Sequence, residues 1–154
     1  MFNETAIKEL EEIRAKYPTA RGALLPAIYI AQREFGHLSS EAYEAVSAAL
    51  GVPRATVRGV ATFYAMYKHR PMGRHIVQLC TNVSCMILGA EKLVDFLKSK
   101  YGLEPGGITP DGRFSLVIME CIGACGTAPA MLVNDDFYEN LTEQYITEIL
   151  EKYT

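Results

Sequence analysis

No apolar stretch in this chain of 154 residues is long enough to cross a lipid bilayer. The longest, Ala23 to Ala31, falls far short of the ~20 residues that a spanning helix needs, and Pro26 interrupts it. The N-terminal residues Met1 to Glu4 lack the basic-then-apolar order of a secretory signal peptide. We therefore expect a cytoplasmic protein that does not insert directly into a membrane.

Several functional signatures are also missing. The net charge is only −3 and no long run of like charge occurs, so we expect no nucleic-acid binding. No two glycines are separated by a single residue, which excludes a G-x-G-x-x-G dinucleotide fingerprint, and no P-loop is present. No C-x-x-C occurs, which argues against a thiol–disulfide oxidoreductase.

The first part of the chain, residues 1–71, has apolar residues at helical spacing. Pro53 is near the start of the clearest stripe, in which Val57, Val60, Ala61 and Tyr64 follow the i, i+3, i+4, i+7 pattern. Three further stripes precede it, and the third runs from Ser40 to Leu50. We predict a small helical bundle whose core includes Phe63 and Tyr64.

The pattern changes after Pro71-Met72-Gly73, and residues 72–154 alternate strands with helices. One helix is predicted from about Cys85 to Tyr101 and another from Thr142 to Tyr153. Strands are predicted at His75 to Leu79, Phe114 to Met119, Ala130 to Val133 and Phe137-Tyr138. The expected fold class is α+β, with an N-terminal helical bundle followed by a unit that resembles the thioredoxin fold.

Four cysteines form two pairs, with the spacing C-x4-C, then 35 residues, then C-x3-C. Each pair follows a predicted strand, so the pairs converge if those strands are neighbours in one sheet. Cysteines in a reducing compartment are more often metal ligands than disulfides. Four thiolates suit either a tetrahedral zinc ion or a 2Fe–2S cluster, and the candidate ligands are Cys80, Cys85, Cys121 and Cys125.

The residues around the cysteines favour iron–sulfur over zinc. The spacing is loose for a structural zinc site, and the three histidines lie outside both cysteine pairs and are interpreted as surface or packing residues. Small residues such as Gly123 and Gly126 permit close approach of backbone N–H groups to sulfur. A zinc-stabilised interaction module is the alternative from a different functional class, and disulfides or free thiols are further alternatives for the cysteines themselves.

Four motifs in order resemble those of one family, and together they cover nearly the whole chain. They are Leu24-Leu25-Pro26-Ala27, Gly59 to Tyr64, Cys80-x4-Cys85 with Gly89-Ala90, and Glu120-Cys121-x-Gly123-x-Cys125 with Ala128-Pro129. The chain resembles the 24-kilodalton-type 2Fe–2S subunit of NADH:quinone oxidoreductase (complex I), a thioredoxin-like ferredoxin. Related subunits occur in NAD-linked hydrogenases and formate dehydrogenases.

This resemblance implies a function. Cys80, Cys85, Cys121 and Cys125 would hold one 2Fe–2S cluster and exchange single electrons with a flavin. FMN and NADH would lie on a larger partner subunit, so the chain would not be catalytic alone. Further subunits of a respiratory complex I, or of a related complex, are implied as partners. The chain would then be peripheral to the inner face of the membrane through that complex.

One stretch, Ala45 to Ala90, contains no acidic residue, although it includes Arg54, Arg58, Lys68, Arg70 and Arg74. Such a surface is either simply solvated or complementary to an acidic partner. As a hypothesis, the fourth helix and the domain boundary contact the flavin-binding subunit.

Overall fold

The computed structural model describes residues 2–154. Before residue 71, capping side chains and glycines determine where the helices begin and end. Asn3 and Ser39 accept hydrogen bonds from the N–H groups of Ala6 (2.8 Å) and Ala42 (3.2 Å). Gly51 ends its helix in the left-handed conformation, which glycine adopts without strain. The helices are α1 (Glu4–Lys16), α2 (Leu24–Phe35), α3 (Ser40–Leu50) and α4 (Arg54–Phe63).

The chain divides between Pro71 and Met72 into two compact units, and the first has its own hydrophobic core. Polar groups within this unit are also satisfied: Tyr67 Oη donates a 2.8 Å hydrogen bond to the carbonyl of Leu25, and Gln32 Nε2 donates to that of Met66. Core residues that are completely buried include Ala6, Ala27, Ile28, Ala31, Val46, Val57 and Ala61.

The prediction that Phe63 and Tyr64 belong to this core is wrong: Phe63 is the last residue of α4 and lies outside its buried stripe, and Tyr64 follows the end of the helix. Tyr64 is extended (φ −97°, ψ 125°), so the helical stripe stops before it. Phe63 is 79% exposed and Tyr64 is 37% exposed, and their rings contact each other edge to face at 5.0 Å. Met66, two residues further on, is also half-exposed, so the chain has several exposed apolar side chains at and just after the end of α4.

The second unit is built on a mixed sheet of four strands in the order β2-β1-β3-β4. β1 and β2 are parallel, whereas β3 is antiparallel to both β1 and β4. None of the helices within residues 2–154 is long and apolar enough to cross a membrane. The elements are β1 (His75–Cys80), α5 (Val83–Ile87), α6 (Ala90–Tyr101), β2 (Phe114–Met119), β3 (Met131–Val133), β4 (Asp136–Tyr138) and α7 (Glu143–Leu150).

The core of this unit fixes the register of β1 and β2. His75 is opposite Phe114, and Cys80 is opposite Met119. Alternate strand residues face the core, where they pack with the apolar sides of α6 and α7. The completely buried members include Val77, Leu79, Leu97, Leu116, Met131, Ile146, Ile149 and Leu150. Both strands therefore end at the same edge of the sheet.

The single helix predicted from Cys85 to Tyr101 is two helices. Gly89 has φ 93°, a left-handed conformation that interrupts α-helical geometry, and α6 begins directly after it. Leu88 ends α5 with its N–H bonded to the carbonyl of Ser84 at 3.1 Å. Cys85 is consequently central in a helix of five residues instead of opening a long one.

Candidate metal centre

The cysteine pairs follow the ends of two neighbouring parallel strands. Cys80 is the last residue of β1, and Cys121 comes two residues after the end of β2. The N–H of Cys80 bonds to the carbonyl of Ala130 (3.1 Å), and that of Thr81 bonds to the carbonyl of Met119 (3.4 Å). The predicted convergence of the strands is therefore present in the structure.

A tight turn brings Cys85 back to Cys80. Asn82 caps α5 by accepting a 2.7 Å hydrogen bond from the N–H of Val83. Cys80 and Cys85 are each only 3% exposed, and their thiols hydrogen-bond to each other. They lie in a small apolar cluster that also contains Ala90, Ala128 and the partly buried Ile122.

The two buried thiols have pKa values that move in opposite directions. Burial raises the pKa of Cys80, but hydrogen bonds from the N–H of Asn82, the Cys85 thiol and the N–H of Ile122 outweigh it and lower the pKa. Burial raises the pKa of Cys85, as does its hydrogen bond to Cys80, while the N–H of Ala130 opposes them. The Cys80 sulfur is thus the better stabilised as a thiolate.

The second pair is on an exposed segment. Gly123, between the two cysteines, has φ 89°, and Cys125 begins a single 3-10 turn, Cys125–Thr127. Both Cys121 and Cys125 are exposed, and a negative charge on Cys125 contributes to raising the pKa of Cys85. Within residues 2–154, no three His, Cys, Asp or Glu side chains are already gathered around one point. The structure therefore joins Cys80 to Cys85 by a hydrogen bond and places Cys125 close enough to influence Cys85 electrostatically.

The donor set fits an iron–sulfur cluster. All four cysteines are free thiols, so the disulfide alternative is not what the structure contains. Three backbone N–H groups are directed at the buried sulfurs, as expected around a thiolate that carries negative charge. Two histidines bond elsewhere: His69 Nδ1 to Tyr43 Oη (2.8 Å) and His75 Nδ1 to Asn134 Nδ2 (3.1 Å).

The sequence did not identify the groups that surround the buried pair. It predicted N–H groups near sulfur around the second pair, and the N–H of Ile122 from that segment is directed at Cys80. The N–H of Ala130, in the segment before β3, is directed at Cys85. A backbone group has no signature in the sequence, so this contact could have been predicted only from the antiparallel pairing of β3 with β1.

Known proteins share both the sequence pattern and the fold of this chain. A family profile described as thioredoxin-like [2Fe-2S] ferredoxin matches residues 10–154. An NADH-quinone oxidoreductase subunit of Rhizobium meliloti is 44% identical over 97% of this chain and 89% of its own length. The NADH-quinone oxidoreductase subunit 2 of Thermus thermophilus is 42% identical over 84% of this chain and 72% of its own.

A solved structure extends the comparison. The structure of an NAD+-reducing [NiFe]-hydrogenase in the H2-reduced state superimposes with a TM-score of 0.74 at 27% identity. The match covers 89% of this chain but only 23% of the hydrogenase chain. This chain therefore spans less than a quarter of that relative.

Proposed function

This chain belongs to the thioredoxin-like 2Fe-2S ferredoxin family, and from that premise we propose that Cys80, Cys85, Cys121 and Cys125 hold one 2Fe–2S cluster. The family resemblance and the α+β fold class predicted from the sequence are confirmed. One observation carries the ligand assignment: two cysteine pairs follow adjacent parallel strands, so all four thiols belong to one edge of the sheet. When bound, the cluster would accept and release one electron.

The two cysteine pairs would contribute differently to binding of the cluster. The buried Cys80 and Cys85 form a prearranged half, since N–H groups of Asn82, Ile122 and Ala130 already point at their sulfurs. We propose that the exposed second pair, Cys121 and Cys125, completes the site when the cluster binds. Gly123 gives the segment between them its left-handed bend (φ 89°), a conformation that glycine adopts without strain.

The relatives are subunits of NADH-quinone oxidoreductase, and this chain is a subunit of a multi-subunit oxidoreductase. We propose that it exchanges single electrons with the flavin of a larger partner subunit, which binds FMN and NADH. The lack of a dinucleotide fingerprint in this sequence supports that division. The chain itself would not oxidise NADH.

The remaining partners follow from the same proposal. Further subunits of a respiratory complex I would attach this chain to the inner face of the membrane from the cytoplasmic side. We expect neither nucleic-acid binding nor direct membrane insertion.

Anaerobic purification tests the cluster. We expect a reddish-brown protein with two irons and two acid-labile sulfides per chain, and an electron-paramagnetic signal only after reduction. The Cys125→Ala variant should lose the signal, whereas the matched Ser84→Ala variant, beside Cys85 but with no proposed ligand role, should keep it. A colourless protein with stoichiometric zinc would contradict the proposal.

A second candidate is the equivalent subunit of an NAD-linked hydrogenase. The structural match to the NAD+-reducing hydrogenase supports it, although the identity of 27% is lower than the 44% to the Rhizobium protein. Nickel distinguishes the two: a native complex that purifies with nickel and hydrogen-dependent NAD reduction would favour the hydrogenase. Quinone-dependent NADH oxidation without nickel would favour complex I.

We further propose that the helical unit, residues 1–71, docks a partner. Arg58 and the exposed Phe63 and Met66 lie on or just after α4, in the stretch without acidic residues. Arg54 instead bonds to Ser40 Oγ at 3.0 Å, so Arg58 gives the cleaner test.

Replacing Arg58 by Glu should lower the yield of flavin subunit that purifies with the chain, because a complementary charge is reversed. Arg21→Glu, outside the acid-free stretch, is the control. Equal yields for the two variants would count against docking through α4.

A further inference from the structure

Asn134, the residue directly after β3, connects that strand to β1 by four hydrogen bonds. Its backbone N–H donates to the carbonyl of Ile76 at 2.9 Å, and its side-chain oxygen accepts from the N–H of Ile76 at 3.0 Å. Its side-chain nitrogen lies 3.1 Å from His75 Nδ1, and its carbonyl accepts from the Gln78 side chain at 3.2 Å. Both the backbone and the side chains of β1 are therefore bound to this one residue.

The backbone conformation of Asn134 explains why its side chain takes part in strand pairing. This residue is opposite Ile76, because the pairing of Val77 with Val133 continues by one residue. In a regular antiparallel ladder, its carbonyl would accept from the N–H of Ile76. At φ 56° the backbone is left-handed, and the side-chain oxygen makes that bond instead. Asparagine adopts this conformation more readily than most residues, so it can supply both the turn and the bond.

The amide of Asn134 has only one orientation that satisfies its partners. A backbone N–H can only donate, so the amide oxygen must face Ile76. The amide nitrogen then faces His75 and donates to its Nδ1. A substitution at position 75 can therefore remove one of the four hydrogen bonds without altering the turn.

The other end of β3 adjoins the two buried cysteines. The carbonyl of Ala130, the residue before β3, accepts from the N–H of Cys80 at 3.1 Å. The N–H of Ala130 is directed at the Cys85 sulfur, and Ala130 is completely buried. Only the three residues Met131–Val133 separate Ala130 from Asn134. Because hydrogen-bonded pairs alternate along an antiparallel ladder, only one such pair lies between these two ends.

We propose that Asn134 is a positioning residue for the cluster: by fixing β3 on β1, it holds the N–H of Ala130 on the Cys85 sulfur. This inference rests on the proposed function, in which Cys85 is a ligand. Hydrogen bonds to sulfur stabilise the more negative, reduced cluster, so a looser β3 lowers the reduction potential. A strand rises about 3.4 Å per residue, so Asn134 acts along β3 from roughly 14 Å away from Ala130.

A simpler role for Asn134 would be to form the turn into β4. Asn140 provides the comparison, because it is also left-handed, with φ 52°. Within residues 2–154 the Asn140 side chain makes no hydrogen bond, whereas the Asn134 side chain makes two to β1. A left-handed asparagine therefore does not need such bonds, and those of Asn134 serve the pairing of β3 with β1.

The test compares three variants of the full chain with the parent. Asn134→Gly keeps the left-handed backbone accessible and removes both side-chain hydrogen bonds. His75→Phe removes only the acceptor of the amide nitrogen, and it tests the inference if Asn134→Gly fails to fold. Asn140→Gly is the matched control: the same substitution is made at another left-handed position, without loss of a hydrogen bond to β1.

Two quantities are measured for each protein. Amide hydrogen exchange of Ala130, followed by NMR in the metal-free chain, reports how firmly β3 is held, and a redox titration of the cluster-containing protein gives the potential. In Asn134→Gly we expect exchange at Ala130 to be at least about tenfold faster, because two hydrogen bonds of ordinary strength are lost. The ratio of reduced to oxidised cluster at a fixed potential should fall about threefold, which is ~30 mV for one electron.

The other two variants grade this result. His75→Phe should change both quantities in the same direction, by about threefold for exchange and about twofold for the ratio, since one hydrogen bond is lost. Asn140→Gly should match the parent in both.

The contrary outcomes are distinct. A parent without a reducible 2Fe–2S cluster would refute the proposed function, and the effect on the potential with it. Where the cluster is present, equal exchange at Ala130 in Asn134→Gly and Asn140→Gly overturns only the inference. Faster exchange with an unchanged potential also overturns it, because Asn134 would then stabilise the sheet without acting on the cluster. If Asn134→Gly does not fold, the same two comparisons between His75→Phe and Asn140→Gly decide.

Discussion

The two cysteine pairs have the same ligand chemistry but different surroundings. Cys80 and Cys85 are buried, hydrogen-bonded to each other and approached by backbone N–H groups. Cys121 and Cys125 are exposed on a segment that contains a left-handed glycine. The first pair is thus organised by the sheet and by the cap of α5, both of which form from the protein alone.

This difference indicates how the site would be completed. Cys80 and Cys85 form a prearranged half-site in the protein alone, and under the proposed function Cys121 and Cys125 would complete it when the cluster binds. Preorganisation is therefore unequal across the site, which can be tested by perturbing each pair separately.

The largest contrast should be in alkylation of the metal-free protein. Iodoacetamide should modify Cys121 and Cys125 about a hundredfold faster than Cys80 and Cys85, because the buried thiols react only after local opening. Mass spectrometry of quenched samples gives the rate at each cysteine.

The control for this experiment is the chain in concentrated guanidinium chloride, where the contrast should vanish. Equal rates in the folded protein would show that the first pair is not preorganised.

A smaller contrast is expected in cluster loading. Cys80→Ser should reduce bound iron and sulfide at least tenfold, since a serine hydroxyl buried beside Ala90 and Ala128 would have to lose its proton away from water to act as a ligand. Cys121→Ser should reduce them only about threefold, because its exposed position permits ligation by the serine oxygen or by water. Iron and acid-labile sulfide per chain are the measurements. A greater loss for Cys121→Ser than for Cys80→Ser would reverse the comparison.

Removal of one N–H donor should change the reduction potential. Ile122→Pro eliminates the hydrogen bond to Cys80, and hydrogen bonds to sulfur favour the more negative, reduced cluster. We expect the potential to fall by about 30 mV, half of the ~59 mV that corresponds to a tenfold change for one electron. A redox titration followed by electron-paramagnetic resonance measures it. Ile122→Val keeps the N–H and should leave the potential unchanged; an equal shift in both variants would exclude the hydrogen bond as the cause.

The smallest effect is expected in the pKa of the Cys80 thiol in the metal-free protein. The pKa of Cys80 is below its ordinary value, so its thiolate forms at lower pH than that of an unperturbed thiol. Cys85→Ala removes one of the hydrogen bonds that lower this pKa, and the titration of Cys80 should move to higher pH. Ultraviolet absorbance of the thiolate detects it in a background with serine at positions 121 and 125. A shift to lower pH would show that relief of burial dominates instead.

The position of the two cysteine pairs in the fold was predictable, because the strands before them show the two-residue alternation of buried and exposed side chains. The alternation from His75 to Leu79 and from Phe114 to Met119 indicated two buried strands, and both end beside a cysteine pair. Gly51 similarly marked the end of α3 correctly. The ligand role of the four cysteines stays a prediction.

Features that depend on a single backbone conformation were not predictable. The apolar pattern continues through Gly89, so only its left-handed φ separates α5 from α6. Likewise, the stripe of α4 extends in sequence to Tyr64, but the chain leaves the helix there and Tyr64 is 37% exposed. Exposed apolar side chains lie beside both departures: Ile87 and Leu88 before Gly89, and Phe63 at the end of α4.

The parallel pairing of β1 and β2 also has a consequence for biosynthesis. Parallel neighbours require a crossover, so the segment that contains α5 and α6 must be complete before β2 can join the sheet. Such non-local pairing is slow compared with local turns. During translation, Cys80 and Cys85 leave the ribosome before Cys121 and Cys125 have been made. Under the proposed function, binding of the cluster must therefore wait for the segment after β2.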